Sequence, residues 1–312
     1  MVDLAVSIGG LRLAAPVLTA SGTAGHGAEL AAYGDLGALG AVVVKSLAAE
    51  SWPGNPAPRV HGDPHGAWMI NSVGLQGPGI TAWLEHDLPD LRRAGASVVV
   101  SIWGRTVAEY RKAAELLHGA GAPVVAVEVN LSCPNLDGGR HLFAQDAADS
   151  ATVVRECVDA LEADLPVWAK LTAATASIVE VAAAVADAGA AAVTCVNTLL
   201  GMAIDVETRR YRLGSGAGGG GLSGPALHPV AVRAVHDVHA ALPTVPIVGA
   251  GGVGTGADAV ELLLAGASAV QVGTATFADP RACWRVQREL ARWCDDHGVA
   301  TVAELTGAVH GS

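Results

Sequence analysis

The sequence contains eight short apolar runs, many of them separated by helical patterns. The runs are mostly continuous rather than alternating, as expected of strands that are covered on both faces. They span residues 16–20, 41–46, 97–102, 124–130, 166–171, 192–197, 246–252 and 269–274. Helical patterns cover residues 107–118, 147–163, 178–188, 229–241 and 255–265. This alternation predicts an α/β fold, a (β/α)8 or TIM barrel with parallel strands.

The remaining segments fit one barrel, because no linker divides the chain. A short N-terminal hairpin is predicted over residues 6–13, where Gly9 and Gly10 separate two apolar pieces. Long connections at residues 47–96 and 198–228 are expected to form loops at the C-terminal face. A last helix is predicted over residues 282–297. We therefore expect residues 1–312 to form a single barrel domain.

Charge and cysteine usage narrow the class of protein. A net charge of −11 disfavours nucleic acid or an anionic membrane surface as the main partner. The sequence shows neither the pattern of a signal peptide nor the roughly 20 uninterrupted apolar residues of a membrane span. The five cysteines include no C-x-x-C pair, so neither a metal site nor an iron–sulfur cluster is predicted. A cytoplasmic protein is the expectation.

Rare polar residues are concentrated at the strand ends, where a barrel keeps its active site. Of only three lysines, Lys45 and Lys170 lie at or near the ends of the second and fifth predicted strands. Asn130 and Asn197 end two other strands, and Asn71 lies in the long second connection. A strand-end lysine or asparagine can also merely cap backbone groups. Their common location makes that explanation much weaker for the whole set.

The fourth strand runs directly into a candidate catalytic segment. Residues 130–135 read Asn-Leu-Ser-Cys-Pro-Asn, so that Cys133 lies between Asn130 and Asn135, and Pro134 stops the strand. A thiol in a cleft can serve as a base or a nucleophile, while the amides hold a polar planar ligand. The alternative is a small buried side chain without chemistry.

A glycine-rich turn follows the seventh strand and has three interpretations: a dinucleotide site, a phosphate cradle, or a purely structural turn. Residues 249–254 match G-x-G-x-x-G, but the next strand lacks the acidic residue that a dinucleotide-binding fold places on the ribose. In barrels, the loops after strands seven and eight often form a phosphate cradle. Gly251, Gly252, Gly273 and Thr274 would then hold one phosphate.

Specific motifs carry a resemblance that covers nearly the whole chain. They lie at residues 20–25 (ASGTAG), 44–46 (VKS), 54–59 (GNPAPR), 71–76 (NSVGLQ), 130–135 (NLSCPN), 169–171 (AKL), 197–202 (NTLLGM), 221–225 (GLSGP) and 272–274 (VGT). On these motifs the sequence resembles the class 1 dihydroorotate dehydrogenases, most closely the class 1B catalytic subunit. Such enzymes bind FMN at the barrel mouth and oxidise dihydroorotate to orotate in pyrimidine biosynthesis.

The resemblance implies a role for individual residues. The FMN contacts fall on Ser21, Lys45, Ser46, Ser101, Asn130, Lys170, Val196, Gly224, Gly251, Gly252, Gly273 and Thr274. The pyrimidine and its carboxylate would be held by Lys45, Asn71, Ser72, Val73, Gly74, Leu75, Asn130, Asn135, Asn197 and Thr198.

The sequence departs from the family pattern at several of its positions. Ser101 stands where an asparagine usually contacts the flavin, so that contact is expected to be shorter or lost. Gly77 replaces a usual asparagine, and Ala24 and His26 replace the usual aromatics.

The resemblance also implies a mechanism and an electron path. Cys133 takes the proton from C5 of dihydroorotate, and the C6 hydride passes to flavin N5. Lys45 is a second catalytic residue that bridges flavin and substrate oxygens, and Lys170 stabilises the reduced flavin. In the class 1B enzymes, electrons then reach NAD⁺ through a partner subunit with FAD and a [2Fe–2S] cluster. The class 1A enzymes instead pass them to fumarate on a homodimer, and the resemblance favours the class 1B path. A homodimer is also expected.

Three other functions stay open at this point. An FMN barrel could oxidise a different dihydropyrimidine, such as dihydrouracil. A phosphate-binding isomerase or lyase could use the same barrel without flavin. A non-catalytic flavin-binding scaffold or subunit would leave Cys133 inert.

Overall fold

The computed structural model describes residues 2–132, 142–215 and 219–311. Strands are numbered here in chain order: β1 (Val6–Ile8), β2 (Leu11–Leu13), β3 (Val17–Thr19), β4 (Val42–Val43), β5 (Val60–Gly62), β6 (Met69–Asn71), β7 (Val98–Ile102), β8 (Val124–Asn130), β9 (Val167–Thr172), β10 (Ala192–Asn197), β11 (Leu199–Met202), β12 (Ile204–Asp205), β13 (Arg210–Tyr211), β14 (Gly219–Ser223), β15 (Ile247–Ala250) and β16 (Ala269–Val272). The α-helices are α1 (Ile80–His86), α2 (Leu88–Arg93), α3 (Val107–Glu115), α4 (Ala147–Ala160), α5 (Ile178–Asp187), α6 (His228–Ala241), α7 (Gly256–Ala265), α8 (Ala275–Ala278) and α9 (Ala282–Asp296).

Eight of these strands form a parallel barrel. Their order around it is β3-β16-β15-β10-β9-β8-β7-β4. The ring closes between β3 and β4, where Thr19 N donates to Ala41 O at 3.2 Å and Gly40 N donates to Val17 O at 2.9 Å. All eight strands coincide with the eight predicted apolar runs, so the predicted (β/α)8 barrel is confirmed.

Local sequence explains where several of the surrounding helices begin. Thr106, Asp146 and Thr255 each precede a helix in extended backbone, and each side chain accepts a hydrogen bond from a backbone N–H of the first turn. The apolar faces that follow these caps are buried, as at Val153, Val154 and Cys157 of α4. The helices thus cover the outer face of the strands, which explains the continuous apolar runs.

The N-terminal hairpin is also confirmed. Strands β1 and β2 pair antiparallel, with Val6 opposite Leu13. Ile8 is fully buried and Val6 nearly so, so one face of the hairpin belongs to the core.

The two long connections contain regular secondary structure in addition to loops. The first contains β5, β6, α1 and α2, and the second contains β11 to β14. Together they build a four-stranded sheet, in the order β11-β14-β6-β5, that we call the roof sheet. Asn71 of β6 lies opposite Gly221 of β14, so the sheet joins segments that are remote in sequence.

No helix among the described ranges is long and apolar enough to cross a lipid bilayer.

Candidate active site

A large cavity lies between the carboxyl ends of the barrel strands and the roof sheet. Its volume is about 1020 Å³, at the upper end of the range typical of small-molecule sites. All but one of the predicted site residues that the structure describes line this cavity: Ser21, Lys45, Ser46, Asn71, Ser72, Val73, Gly74, Leu75, Asn130, Lys170, Val196, Asn197, Thr198, Gly224, Gly251, Gly252, Gly273 and Thr274. The exception is Ser101, and Cys133 and Asn135 lie outside the described residues.

The charge of the cavity is opposite to that of the chain. Lys45 and Lys170 are the charged side chains among its described lining residues, and no carboxylate lies among them. The chain as a whole carries a net charge of −11. Because the described lining residues include amines and no carboxylates, the cavity favours an anionic ligand even though the protein as a whole is acidic.

Three serine hydroxyls form a chain that leads away from the cavity. Ser21 Oγ lies 3.1 Å from Ser46 Oγ, which in turn lies 2.9 Å from Ser101 Oγ. Ser101 is fully buried, whereas Ser21 and Ser46 line the cavity. Ser101 therefore lies behind Ser46, and its hydroxyl orients the Ser46 hydroxyl.

The strand-end asparagines hold each other in fixed orientations. Asn197 Nδ2 donates to Asn130 Oδ1 at 3.1 Å, and the Asn130 amide nitrogen donates to Ser46 Oγ at 3.3 Å. The backbone N–H of Thr198 donates to Asn197 Oδ1 at 2.7 Å. Because these contacts fix both amides, Asn130 and Asn197 present defined donor and acceptor atoms to a planar polar ligand.

A buried tyrosine supports the strand end from below. Tyr110 Oη donates to the Asn130 carbonyl at 2.6 Å, and the ring packs edge-on against Phe143 at 5.5 Å between centroids. Tyr110 lies on α3, so this hydrogen bond connects the end of β8 to that helix and fixes the position of Asn130 beside the cavity. The sequence pattern gave no indication of this role beyond an aromatic residue on the apolar face of a helix.

The segment 71–75 is held in place by a residue that the sequence analysis did not assign to the site. Asn55 Nδ2 donates to the Ser72 carbonyl at 3.0 Å, and the Asn55 N–H donates to the Val73 carbonyl at 3.0 Å. Gly74 packs so closely that a Cβ there would lie 2.6 Å from Asn55 Cγ. Asn55 also lines the cavity. Its place in the motif at residues 54–59 was the available signal.

Two glycine-rich loops, proposed from the sequence as a phosphate cradle, follow the adjacent strands β15 and β16 and line one corner of the cavity. Gly251 and Gly252 follow β15 with φ angles of +139° and +67°. Gly273 and Thr274 follow β16, and Thr274 Oγ1 donates to Ser223 Oγ at 2.8 Å. This corner offers hydroxyls and side-chain-free backbone, which fits an anionic group such as the phosphate of a nucleotide-like cofactor.

A buried polar cluster beneath the cavity was not predicted. Glu128 of β8 is fully buried. Its Oε1 accepts from Lys170 Nζ at 3.3 Å, and its Oε2 accepts from Gln271 Nε2 at 2.7 Å and from Thr194 Oγ1 at 3.0 Å. Lys170 Nζ also donates to Gln271 Oε1 at 3.0 Å. The available signal was a glutamate inside an otherwise apolar strand.

Two departures from the family pattern pack against each other behind the wall. A Cβ at Gly77 would lie 3.2 Å from His26 Nε2, and that nitrogen is buried without a hydrogen-bond partner among the described residues. Burial lowers the pKa of His26; Asp87 and Glu29 oppose this effect, and Lys45 adds to it. Neither His26 nor Gly77 lines the cavity.

Metal ligands do not cluster in the part of the chain that the structure describes: no group of three or more His, Cys, Asp or Glu side chains could hold a metal ion there. The polar groups of the described lining residues are amides, hydroxyls, backbone groups and the amines of Lys45 and Lys170.

Comparison with known proteins agrees with this geometry. The family model described as dihydroorotate dehydrogenase matches residues 3–293. A protein of Desulforudis audaxviator (strain MP104C) is 47% identical over 309 residues, which cover 99% of this chain and 98% of the relative. A protein of Geobacter sp. (strain M21) is 44% identical over 307 residues, 98% of each chain. Both relatives are named dihydroorotate dehydrogenase B (NAD(+)), catalytic subunit. The chain therefore belongs to the dihydroorotate dehydrogenase family.

Proposed function

We propose that this protein oxidises dihydroorotate to orotate with FMN as its cofactor, as the catalytic subunit of an NAD⁺-linked enzyme of pyrimidine biosynthesis. The observation that carries the proposal is the cationic cavity: Lys45 and Lys170 line it, and its described wall has no carboxylate. The proposed ligands, FMN and dihydroorotate, are both anions. Family membership and the names of the relatives point to the same activity.

The residues around the cavity fit FMN in charge and chemistry. The glycine loops at 251–252 and 273–274 would hold its phosphate, and Ser21, Ser46, Asn130, Val196 and Gly224 would hold the rest together with the two lysines. When bound, FMN would supply the acceptor for the hydride that leaves C6 of the substrate.

The substrate would lie against the asparagine cluster. Asn130 and Asn197 offer fixed amides, and Asn71 lies on the roof sheet at the opposite side of the cavity. Lys45 would bind a carboxylate or carbonyl oxygen of the substrate. A substrate carboxylate gives Lys45 an anionic partner, which neutral dihydrouracil lacks, so the cavity favours dihydroorotate over that alternative.

Cys133 is the proposed base that removes the C5 proton. An unperturbed thiol has a pKa of about 8.5, so a small fraction is thiolate at neutral pH. By contrast, burial raises the pKa of Cys157, Cys195 and Cys283 to about 12. Cys294 is also buried, and burial raises its pKa. These four thiols are therefore held protonated, which leaves Cys133 as the candidate.

Electrons must then leave the catalytic subunit. We propose a partner subunit with FAD and a [2Fe–2S] cluster, because the sequence offers no cysteine spacing for a cluster of its own. We further propose a single FMN-binding domain, a homodimeric catalytic core and a cytoplasmic location.

The test is an absorbance spectrum of the purified full-length chain. A yellow protein whose flavin band bleaches on anaerobic addition of dihydroorotate, but not of dihydrouracil, supports the proposal. A colourless protein would favour a flavin-free isomerase or lyase. A yellow protein that neither pyrimidine bleaches would favour a non-catalytic flavin scaffold. Bleaching by dihydrouracil alone would move the activity to the other substrate.

A further inference from the structure

The Glu128 carboxylate is an unusual group to find at the centre of the barrel. It shows no exposed surface, and its contacts come from three other strands: Lys170 on β9, Thr194 on β10 and Gln271 on β16. Burying a carboxylate is costly unless its oxygens are fully hydrogen-bonded, and an apolar group of similar size often gives equal or better stability. Packing alone therefore does not explain a glutamate at this position.

The hydrogen-bond pattern gives Glu128 control over the atoms that reach the cavity. Gln271 must direct its amide nitrogen to Glu128 Oε2, so its Oε1 faces Lys170, where it accepts a hydrogen bond at 3.0 Å. Lys170 is thereby held by two acceptors, and both Lys170 and Gln271 line the cavity. Glu128 and Thr194 do not line it.

The charge of Glu128 acts on the same part of the cavity. The pair of Glu128 and Lys170 has a net charge of zero, so the carboxylate offsets part of the positive potential that Lys170 exerts. Among the described residues, the other charged group of the cavity is Lys45, which follows β4, three strands away from β9 in the barrel order. The neighbours Thr194 and Gln271 carry no charge.

We propose that Glu128 is a positioning residue that orients Lys170 and Gln271 and lowers the reduction potential of the bound flavin. This inference rests on the proposed function, since it requires FMN in the cavity. Reduction adds negative charge to the isoalloxazine, which Lys170 favours and Glu128 opposes. With both residues present, the reduction potential would thus lie below the value expected with Lys170 alone and above the value expected with Glu128 alone.

The experiment measures the midpoint potential of FMN in the full-length chain by equilibration with a reference dye. Glu128→Gln keeps the shape of the side chain and removes its charge. We expect the ratio of reduced to oxidised FMN at a fixed potential to rise on the order of tenfold, which is about 30 mV for a two-electron couple. Lys170→Met should shift the ratio the opposite way, and the double variant should lie between the two.

Two controls separate charge from structure. Thr194→Val removes one hydrogen bond to Glu128 without changing any charge, and its potential should stay near the wild-type value. Glu180→Gln makes the same change of net charge at an exposed position on α5 and should also leave the potential unchanged. If the midpoint potential rises in Glu128→Gln but in neither control, the rise cannot come from the loss of a hydrogen bond or from the change in net charge alone.

Each outcome has a defined meaning. A yellow Glu128→Gln protein whose potential is unchanged or lower overturns this inference and leaves the proposed function intact. A colourless wild-type chain overturns both. If Glu128→Gln alone does not fold, the double variant is compared with Lys170→Met. Neither protein has the Lys170 cation, so a higher potential in the double variant shows the effect of removing the Glu128 charge. Failure of both Glu128 variants to fold would make the carboxylate a folding element and overturn its tuning role.

Discussion

The proposed phosphate cradle contains one glycine that cannot be replaced without strain, and a substitution there tests the cofactor site directly. Gly252 has a φ of +67°, which is the left-handed region. A Cβ at this position would lie 2.6 Å from His228 Cβ and 2.9 Å from the backbone N and Cα of His228 at the start of α6. These are backbone or backbone-near atoms, so the neighbour cannot rotate away.

The expected cost of Gly252→Ala follows from these two effects. A non-glycine residue in left-handed backbone costs about 1–2 kcal/mol. The close contact adds an overpacking cost of about 1–3 kcal/mol. If the strained loop must adopt the native geometry to hold the phosphate, the total of about 2–5 kcal/mol weakens FMN binding roughly 30-fold to several-thousand-fold.

A matched control lies two residues further along the same loop. Gly254 needs no left-handed backbone, and a Cβ there would find Asp258 Oδ2 at 3.8 Å as its nearest neighbour. Gly254→Ala should therefore bind FMN like the wild type. The assay is the titration of FMN fluorescence with apoprotein, beside thermal melting of each apo form to confirm that it is folded.

If folded Gly252→Ala bound FMN as tightly as Gly254→Ala, within about threefold, the loop at 251–252 would not be part of the cofactor site.

Further tests concern the thiols, the hydrogen bond of Tyr110 to Asn130, and the neighbouring rings of His236, His239 and His310. Iodoacetamide should label Cys133 first, and Cys133→Ala should abolish the rapid labelling and slow turnover by about 10²–10⁴-fold while FMN stays bound; near-normal turnover would remove Cys133 from the mechanism. Tyr110→Phe should cost about 1 kcal/mol in urea unfolding, through loss of the bond to Asn130, and an unchanged midpoint would show that this bond does not stabilise the fold. Burial, with His310 and His236 nearby, lowers the pKa of His239, so the unfolded state binds the proton more readily and stability falls as the pH drops below about 6.5. In His239→Gln, the melting temperature should fall less at acidic pH than in the wild type. Identical profiles of melting temperature against pH for the two proteins would contradict this.

The barrel was predictable because its signal is local. Each strand is an apolar run of the right length, and the helices between them begin at identifiable caps, such as Thr106 and Thr255. The cavity-lining lysines and asparagines could be located for the same reason, since strand ends can be read from sequence. Their individual roles toward FMN and substrate remain predictions.

The roof sheet and the Glu128 cluster were not predictable, because both depend on contacts between remote segments. Strand β6 pairs with β14 through Asn71 and Gly221, and no local periodicity encodes such a pairing. The residues Glu128 and Gln271 are 143 positions apart and meet only when the ring closes. A glutamate in an apolar strand indicates a buried polar contact, but the sequence does not identify its partners, because only the folded barrel brings them together.

The pairing of β3 with β16 joins the first barrel strand to the last and bears on how the protein folds during synthesis. The first barrel strand, near the start of the chain, has β4 on one side and acquires its second neighbour only when residues 269–272 have left the ribosome. The loops that would grip the phosphate are translated equally late. If FMN is the cofactor, as proposed, its binding is therefore expected after nearly the entire polypeptide has emerged, and a truncated nascent chain should remain colourless.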